Sequence, residues 1–155
     1  MFKPNYIIIP LITLVIAVFG NLITSQGMDW YNLLKLPSFT PAGAIIGIVW
    51  TIIFILTAIS VLIFYNRAFH NSRFVIVITL FLINGVLNLL WSYLFFNKHL
   101  VGAAILEMLF LEATIIALII LIRFSSKIAS ILLYPYAIWV IFATYLAYQV
   151  LLLNT

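Results

Sequence analysis

Five long apolar stretches dominate this sequence, and few folds can accommodate them. They lie near residues 6–24, 42–65, 74–96, 100–122 and 128–153. The hydrocarbon core of a bilayer is about 30 Å thick, so a helix needs roughly 20 apolar residues to cross it. Each stretch meets that requirement. The sequence therefore predicts an all-α membrane protein, a bundle of five transmembrane helices that forms one domain over residues 1–155.

The composition excludes a soluble alternative. Of the 155 residues, 67% are hydrophobic and 6% are charged, whereas a soluble domain is about half apolar and a quarter charged. A soluble chain of this length could not bury so much apolar surface. The net charge of +4 comes from scattered Lys and Arg residues. We therefore expect the lipid bilayer as a partner, and no nucleic acid.

The basic residues also predict an orientation in the membrane. Five of the seven Lys and Arg residues fall at one end of the predicted bundle, namely Lys3, Arg67, Arg73, Arg123 and Lys127. Lys35 and Lys98 fall at the other end. Cytoplasmic loops of membrane proteins carry an excess of Lys and Arg. The sequence thus predicts a multi-pass protein of the plasma membrane with a cytoplasmic N-terminus.

The connection between the first two stretches, residues 25–41, is unusually long for a compact bundle. It contains Trp30, Tyr31 and Pro41, so it has apolar surface to pack against other residues. Loops of this length are often lids or binding loops. Thr40 followed by Pro41 suits the N-cap and first position of the second helix.

The third stretch carries two amides and two aromatic residues on one helix face. Asn84, Asn88, Trp91 and Phe95 follow one another at spacings of four, three and four residues, which places them on the same side of a helix. Amides in hydrocarbon need partners, so this face should point into the bundle. Two interpretations remain open: contacts that hold helices together, or the wall of a ligand cavity.

Similar faces occur in the second and fifth stretches, where a tryptophan lies among small and aromatic residues. Their members are Gly47, Trp50 and Phe54 in the second stretch, and Tyr136, Trp139 and Ala143 in the fifth, which also contains Leu146. Interfacial belts account for many membrane tryptophans, but Trp50, Trp91 and Trp139 lie deeper in their stretches. Small Ala143 leaves room beside the Trp139 indole.

The remaining ionisable residues do not form a conventional catalytic site. Glu107 and Glu112 are about 140° apart on a helix and so are not a carboxylate pair. Each is either functional or a protonated structural residue. His70 and His99 fall in different loops, and we expect no metal site. Phosphate-loop and nucleophile-elbow motifs are absent from the sequence, which leaves enzymatic activity undecided.

Four motifs together resemble those of one family. They are Trp30-Tyr31 with Leu36-Pro37-Ser38-Phe39-Thr40-Pro41, then Trp50, then Asn88 to Phe96 around Trp91, and Leu133 to Thr144. The last is similar to the pattern L-Y-P-Y-x-x-W-x-x-F-A-T. Their order and spacing resemble those of the TspO/translocator-protein family, the tryptophan-rich sensory proteins or peripheral-type benzodiazepine receptors, in its bacterial form.

The resemblance implies five tilted helices around a cavity that the first loop covers, often in a homodimer. It also implies binding of a tetrapyrrole, protoporphyrin IX or a haem-like ring, with no required cofactor. Some bacterial members promote light- and oxygen-dependent porphyrin breakdown, and stress sensing is a further role. Trp50 and Trp139 match the tryptophans linked to that breakdown. The alternative is a transporter or exporter of porphyrins or other lipophilic ligands.

The ligand-binding candidates combine the inward faces with the positions that match the family. They are Trp30, Tyr31, Pro41, Gly47, Trp50, Phe54, Asn84, Asn88, Trp91, Phe95, Glu107, Tyr136, Trp139, Ala143 and Leu146. The chain departs from the family where Phe39 replaces a tryptophan and Ala42 a proline. Nothing basic follows Tyr148, so we expect no sterol motif at the C-terminal end.

Overall fold

The computed structural model describes residues 3–69 and 72–155. The helices are α1 (Asn5–Gln26), α2 (Met28–Tyr31), α3 (Gly43–Ala68), α4 (Phe74–Ser92), α5 (Val101–Arg123), α6 (Lys127–Ile131) and α7 (Tyr134–Leu153). Five segments of the described chain are long and apolar enough to cross a membrane: Asn5–Gln26, Gly43–Ala68, Phe74–Asn97, Val101–Arg123 and Lys127–Leu153. The predicted fold class is confirmed. The predicted loop residue His70 lies outside the described residues.

The helices form a ring. Helix α1 packs against α3 and α4, and α5 packs against α4 and α7, while α6 returns to α3. We call the two ends of this bundle the loop end and the basic end. The loop end carries residues 27–42, the turn between α4 and α5, and the end of α7. The basic end carries the start of α1, the end of α3, and α6.

Each end has its own core. At the basic end, Phe64, Val77 and Leu118 are buried together with Ile122 and Leu133. The core nearer the loop end contains Ile53, Met108, Leu111, Ile115 and Val140, with tryptophans packed around it. Helix α5 contributes to both cores, which makes it the central helix of the bundle.

Local breaks in the helices were not predicted. The third span ends in a π-helical segment, Tyr93–Asn97, and the first loop contains the short helix α2. The fifth span is interrupted between α6 and α7, with Pro135 in the first turn of α7. Proline lacks a backbone N–H and fits there, where that donor would have no intrahelical partner.

The predicted N-cap and first residue of the second helix, Thr40 and Pro41, were wrong. Helix α3 begins at Gly43 with Ala42 as its N-cap, not with Thr40 and Pro41. The Thr40 hydroxyl instead donates a hydrogen bond to the Pro37 carbonyl oxygen at 2.7 Å. Threonine side chains often close such local turns, so Thr40 stabilises the first loop rather than the helix.

Candidate functional site

Aromatic rings form a continuous column at the loop end. The Trp50 ring on α3 lies 6.0 Å from Tyr136 and 6.4 Å from Trp91, between ring centroids. Trp91 stacks on Phe95 at 5.6 Å, and Phe95 meets Trp30 of α2 edge-on at 5.7 Å. We call these five residues the aromatic column. It joins four parts of the chain that are distant in sequence, and Phe54 packs beside Trp50 at 5.8 Å.

A buried hydrogen-bond network lies at the inner end of the aromatic column. The Tyr136 hydroxyl donates to Asn84 Oδ1 at 3.1 Å and accepts from Asn88 Nδ2 at 3.3 Å. Asn84 Nδ2 donates to Thr114 Oγ1 of α5 at 2.9 Å. Both polar atoms of the Asn84 side chain are therefore occupied. For Asn84 this geometry favours the interhelical-contact interpretation, because the network joins α4, α5 and α7.

A second aromatic group contains Trp139. Its ring lies 5.3 Å from Phe142 on the same helix. Phe39 of the first loop lies 6.4 Å from Phe142 and stacks on Tyr145 at 5.7 Å. Phe39 occupies a position where the resemblance implies tryptophan, and its ring fastens the loop onto α7. The ring contacts thus place Trp50 and Trp139 in separate groups.

Several buried polar atoms at the loop end have no hydrogen-bond partner within residues 3–69 and 72–155. They include the indole nitrogens of Trp91 and Trp139 and both carboxyl oxygens of Glu107. Leaving a buried polar group unpaired costs about 1–3 kcal/mol. Most buried polar groups in proteins are paired. These atoms are therefore candidates for contacts with a bound polar or amphipathic molecule.

The first turns of α3 border open space. A Cβ added at Gly43 or Gly47 would meet no atom within 4 Å. The bare backbone of Gly47 therefore lets another molecule approach the helix closely. Three further predicted site residues, Pro41, Ala143 and Leu146, are half-buried. Their exposure is compatible with contact to a ligand or to lipid.

The first loop is fastened to the bundle through α2. The Trp30 indole stacks on the His99 imidazole, with ring centroids 4.1 Å apart and planes inclined by 12°. His99 has a φ of 57°, a left-handed conformation that is uncommon outside glycine. Tyr31 packs against Phe96 at 5.6 Å, and burial raises the pKa of its hydroxyl above the ordinary value.

The first loop is also fastened to the end of α7. The Asn154 side chain accepts a hydrogen bond from the Lys35 backbone N–H at 2.9 Å and donates one to the Lys35 carbonyl oxygen at 3.0 Å. Its amide also donates to the Val150 carbonyl oxygen. Sequence reasoning did not identify this contact, because Asn154 reads as an ordinary polar residue after an apolar stretch.

The comparisons with known proteins agree with this architecture. A sequence profile of the TspO/MBR family matches residues 8–153. The chain belongs to that family. The uncharacterized membrane protein YtaB of Bacillus subtilis is 40% identical over 81% of each chain. Tryptophan-rich protein TspO of Bacillus cereus is 33% identical over 98% of each chain, and that of Archaeoglobus fulgidus is 36% identical over 93%.

Membership of the TspO/MBR family confirms the resemblance that the sequence motifs indicated. The structure brings Trp30, Tyr31, Trp50, Trp91 and Phe95 into one neighbourhood at the loop end. Trp139 belongs to a different set of rings, in which Phe142 contacts both Trp139 and Phe39 of the first loop. The family match and the five spans identify a multi-pass membrane protein.

Proposed function

We propose that this TspO/MBR protein binds protoporphyrin IX within the membrane, at the loop end and beneath the first loop. The observation that carries the proposal is the pair of buried indole N–H groups of Trp91 and Trp139, which have no acceptor among the described residues. They lie among aromatic rings that suit a flat apolar ligand. Ligand sites of this kind combine apolar walls with a few polar groups.

In this proposal the porphyrin ring stacks on Trp50 of the aromatic column and on Trp139 of the second aromatic group. Its propionates would remain near the membrane surface, where Lys35, Lys98 and His99 are all exposed. Charge-assisted hydrogen bonds to carboxylates are the strong ones. The loop end therefore supplies aromatic surface for the ring and cations for the propionates.

Light-dependent degradation is the second part of the proposal. The porphyrin would act as the photosensitiser and dioxygen as the oxidant, so the protein needs no acid–base residues of its own. Trp50 and Trp139 would hold the ring in a water-poor environment that shields reactive intermediates. Degradation would then compete with simple release of the ligand.

The test measures the absorption spectrum of protoporphyrin IX titrated with purified protein, first in the dark and then under illumination. We expect saturable binding in the dark and a new absorbing product in the light. Trp50→Phe and Trp139→Phe should weaken binding roughly tenfold, as expected when about 1.4 kcal/mol of binding free energy is lost. Using porphyrin absorption avoids confusion with the loss of tryptophan fluorescence.

The matched control is Phe110→Leu, because Phe110 is 68% exposed on α5. It should bind porphyrin as the unchanged protein does. Identical affinity in all three variants would overturn the stacking model. Binding without a photoproduct would remove the degradation step. Porphyrin accumulation in sealed vesicles against its gradient would favour the transporter alternative.

A further inference from the structure

A groove of about 500 Å³ opens at the basic end, between the first turns of α1 and the last turns of α3. Its lining includes Lys3, Asn5, Ile8, Tyr65, Asn66 and Phe69. The volume lies in the range of small-molecule sites, about 300–1,000 Å³. The groove is at the opposite end of α1 from the first loop, so it is separate from the proposed porphyrin site.

The groove has a polar floor and apolar walls. Asn5 is only 7% exposed, and its Nδ2 donates to Asn66 Oδ1 at 3.3 Å. Asn66 Nδ2 in turn donates to the Leu62 carbonyl oxygen at 2.9 Å. Ile8 and Phe69 contribute apolar side chains to the same lining. An occupant must therefore have both a polar part and an apolar part.

The charge around the groove is positive. Lys3 lines it, and Arg67 lines a neighbouring groove of about 270 Å³ that shares Asn66. The three acidic residues of the sequence lie elsewhere, with Asp29 in α2 and two glutamates in α5. Lys3 in the groove and Arg67 in the neighbouring one complement an anionic group.

We propose that this groove binds one anionic glycerophospholipid from the surrounding leaflet. The phosphate lies against Lys3 and Asn66, and an acyl chain follows Ile8 and Phe69 along the groove. Basic pockets between transmembrane helices suit anionic headgroups, because each nearby cation contributes about 1 kcal/mol. The apolar walls distinguish this occupant from a free phosphate ion.

The experiment titrates delipidated protein in a neutral detergent with phosphatidylglycerol and follows the melting temperature. We expect a saturable rise that phosphatidylcholine with the same chains and inorganic phosphate do not reproduce. Lys3→Gln should weaken the apparent affinity roughly fivefold, the effect of one lost cation near the headgroup. Lys127→Gln is the matched control, because Lys127 carries the same charge at the same end but does not line the groove.

A second pair of variants tests the apolar wall. Ile8 and Ile7 are consecutive residues in the first turn of α1. They are 51% and 59% exposed, and only Ile8 lines the groove. Ile8→Trp should fill the groove and abolish the saturable rise, while Ile7→Trp should leave it unchanged. The proposal is overturned if Ile8→Trp and Ile7→Trp show the same rise in melting temperature. It is also overturned if Lys3→Gln and Lys127→Gln show the same apparent affinity. An equal rise with phosphatidylcholine or with phosphate alone would also overturn it.

Discussion

The two ends of the bundle differ in how completely their buried polar groups are paired. At the basic end, the Ser60 hydroxyl donates to the Ala129 carbonyl oxygen at 2.7 Å, and Ser130 donates to that of Ile119 at 2.8 Å. At the loop end, the indole nitrogens of Trp91 and Trp139 are buried without partners in the described chain. Hydrocarbon supplies no water to compensate such groups. The buried serine hydroxyls at the basic end therefore join helices to one another, whereas the two indole nitrogens at the loop end form no such bond within the described chain.

The packing of large side chains follows the same division. Phe64 at the basic end is completely buried, while Trp50, Trp91 and Trp139 at the loop end are only partly buried. Partly exposed side chains have fewer contacts to lose than fully buried ones. We therefore expect these tryptophans to change position more readily than Phe64.

The largest expected loss of stability comes from truncating a side chain in the core of the basic end. Phe64→Ala should lower the free energy of unfolding by about 3–5 kcal/mol, because it removes a large side chain from a closed core. Denaturant titration in detergent micelles would measure the change. Porphyrin affinity of the folded fraction should stay the same. Phe110→Ala, at an exposed position, is the control, and a similar loss there would contradict the comparison.

A smaller effect is expected where α1 ends against the π-helical segment. A Cβ at Gly27 would collide with the backbone carbonyl oxygen of Phe96, so Gly27→Ala must shift the backbone. Overpacking of this kind costs about 1–3 kcal/mol. Thermal unfolding should show a loss for Gly27→Ala and none for Gly102→Ala, where the added Cβ meets open space. Equal melting temperatures for the two variants would show that the contact between Gly27 and Phe96 is not tight.

The smallest effect is expected for the hydrogen bonds that Tyr136 makes with Asn84 and Asn88 beside the aromatic column. Tyr136→Phe removes the hydroxyl that donates to Asn84 Oδ1 and should cost about 1–2 kcal/mol, because an amide oxygen remains unpaired. Tyr148→Phe on the same helix is the control, since Tyr148 is 47% exposed. Both stabilities would be read from denaturant midpoints. No difference between them would mean that the network contributes no net stability.

The sequence predicted the number of spans and the inward face of α4, because apolar length and helical periodicity are local properties. The spacing of Asn84 and Asn88 indicated that they point inward, and the structure shows both buried. Their partner Tyr136 could not be predicted, since periodicity on one helix does not say which neighbour faces it. The separate ring groups of Trp50 and Trp139 depend on the same long-range packing.

The hydrogen bonds between Asn154 and Lys35 make the behaviour of the first loop depend on the last turn of α7. The Asn154 side-chain amide bonds to both the backbone N–H and the backbone C=O of Lys35. A neighbouring β-strand would satisfy the same two groups. A change that unwinds the last turn of α7 should therefore also release Lys35 from its position in the first loop.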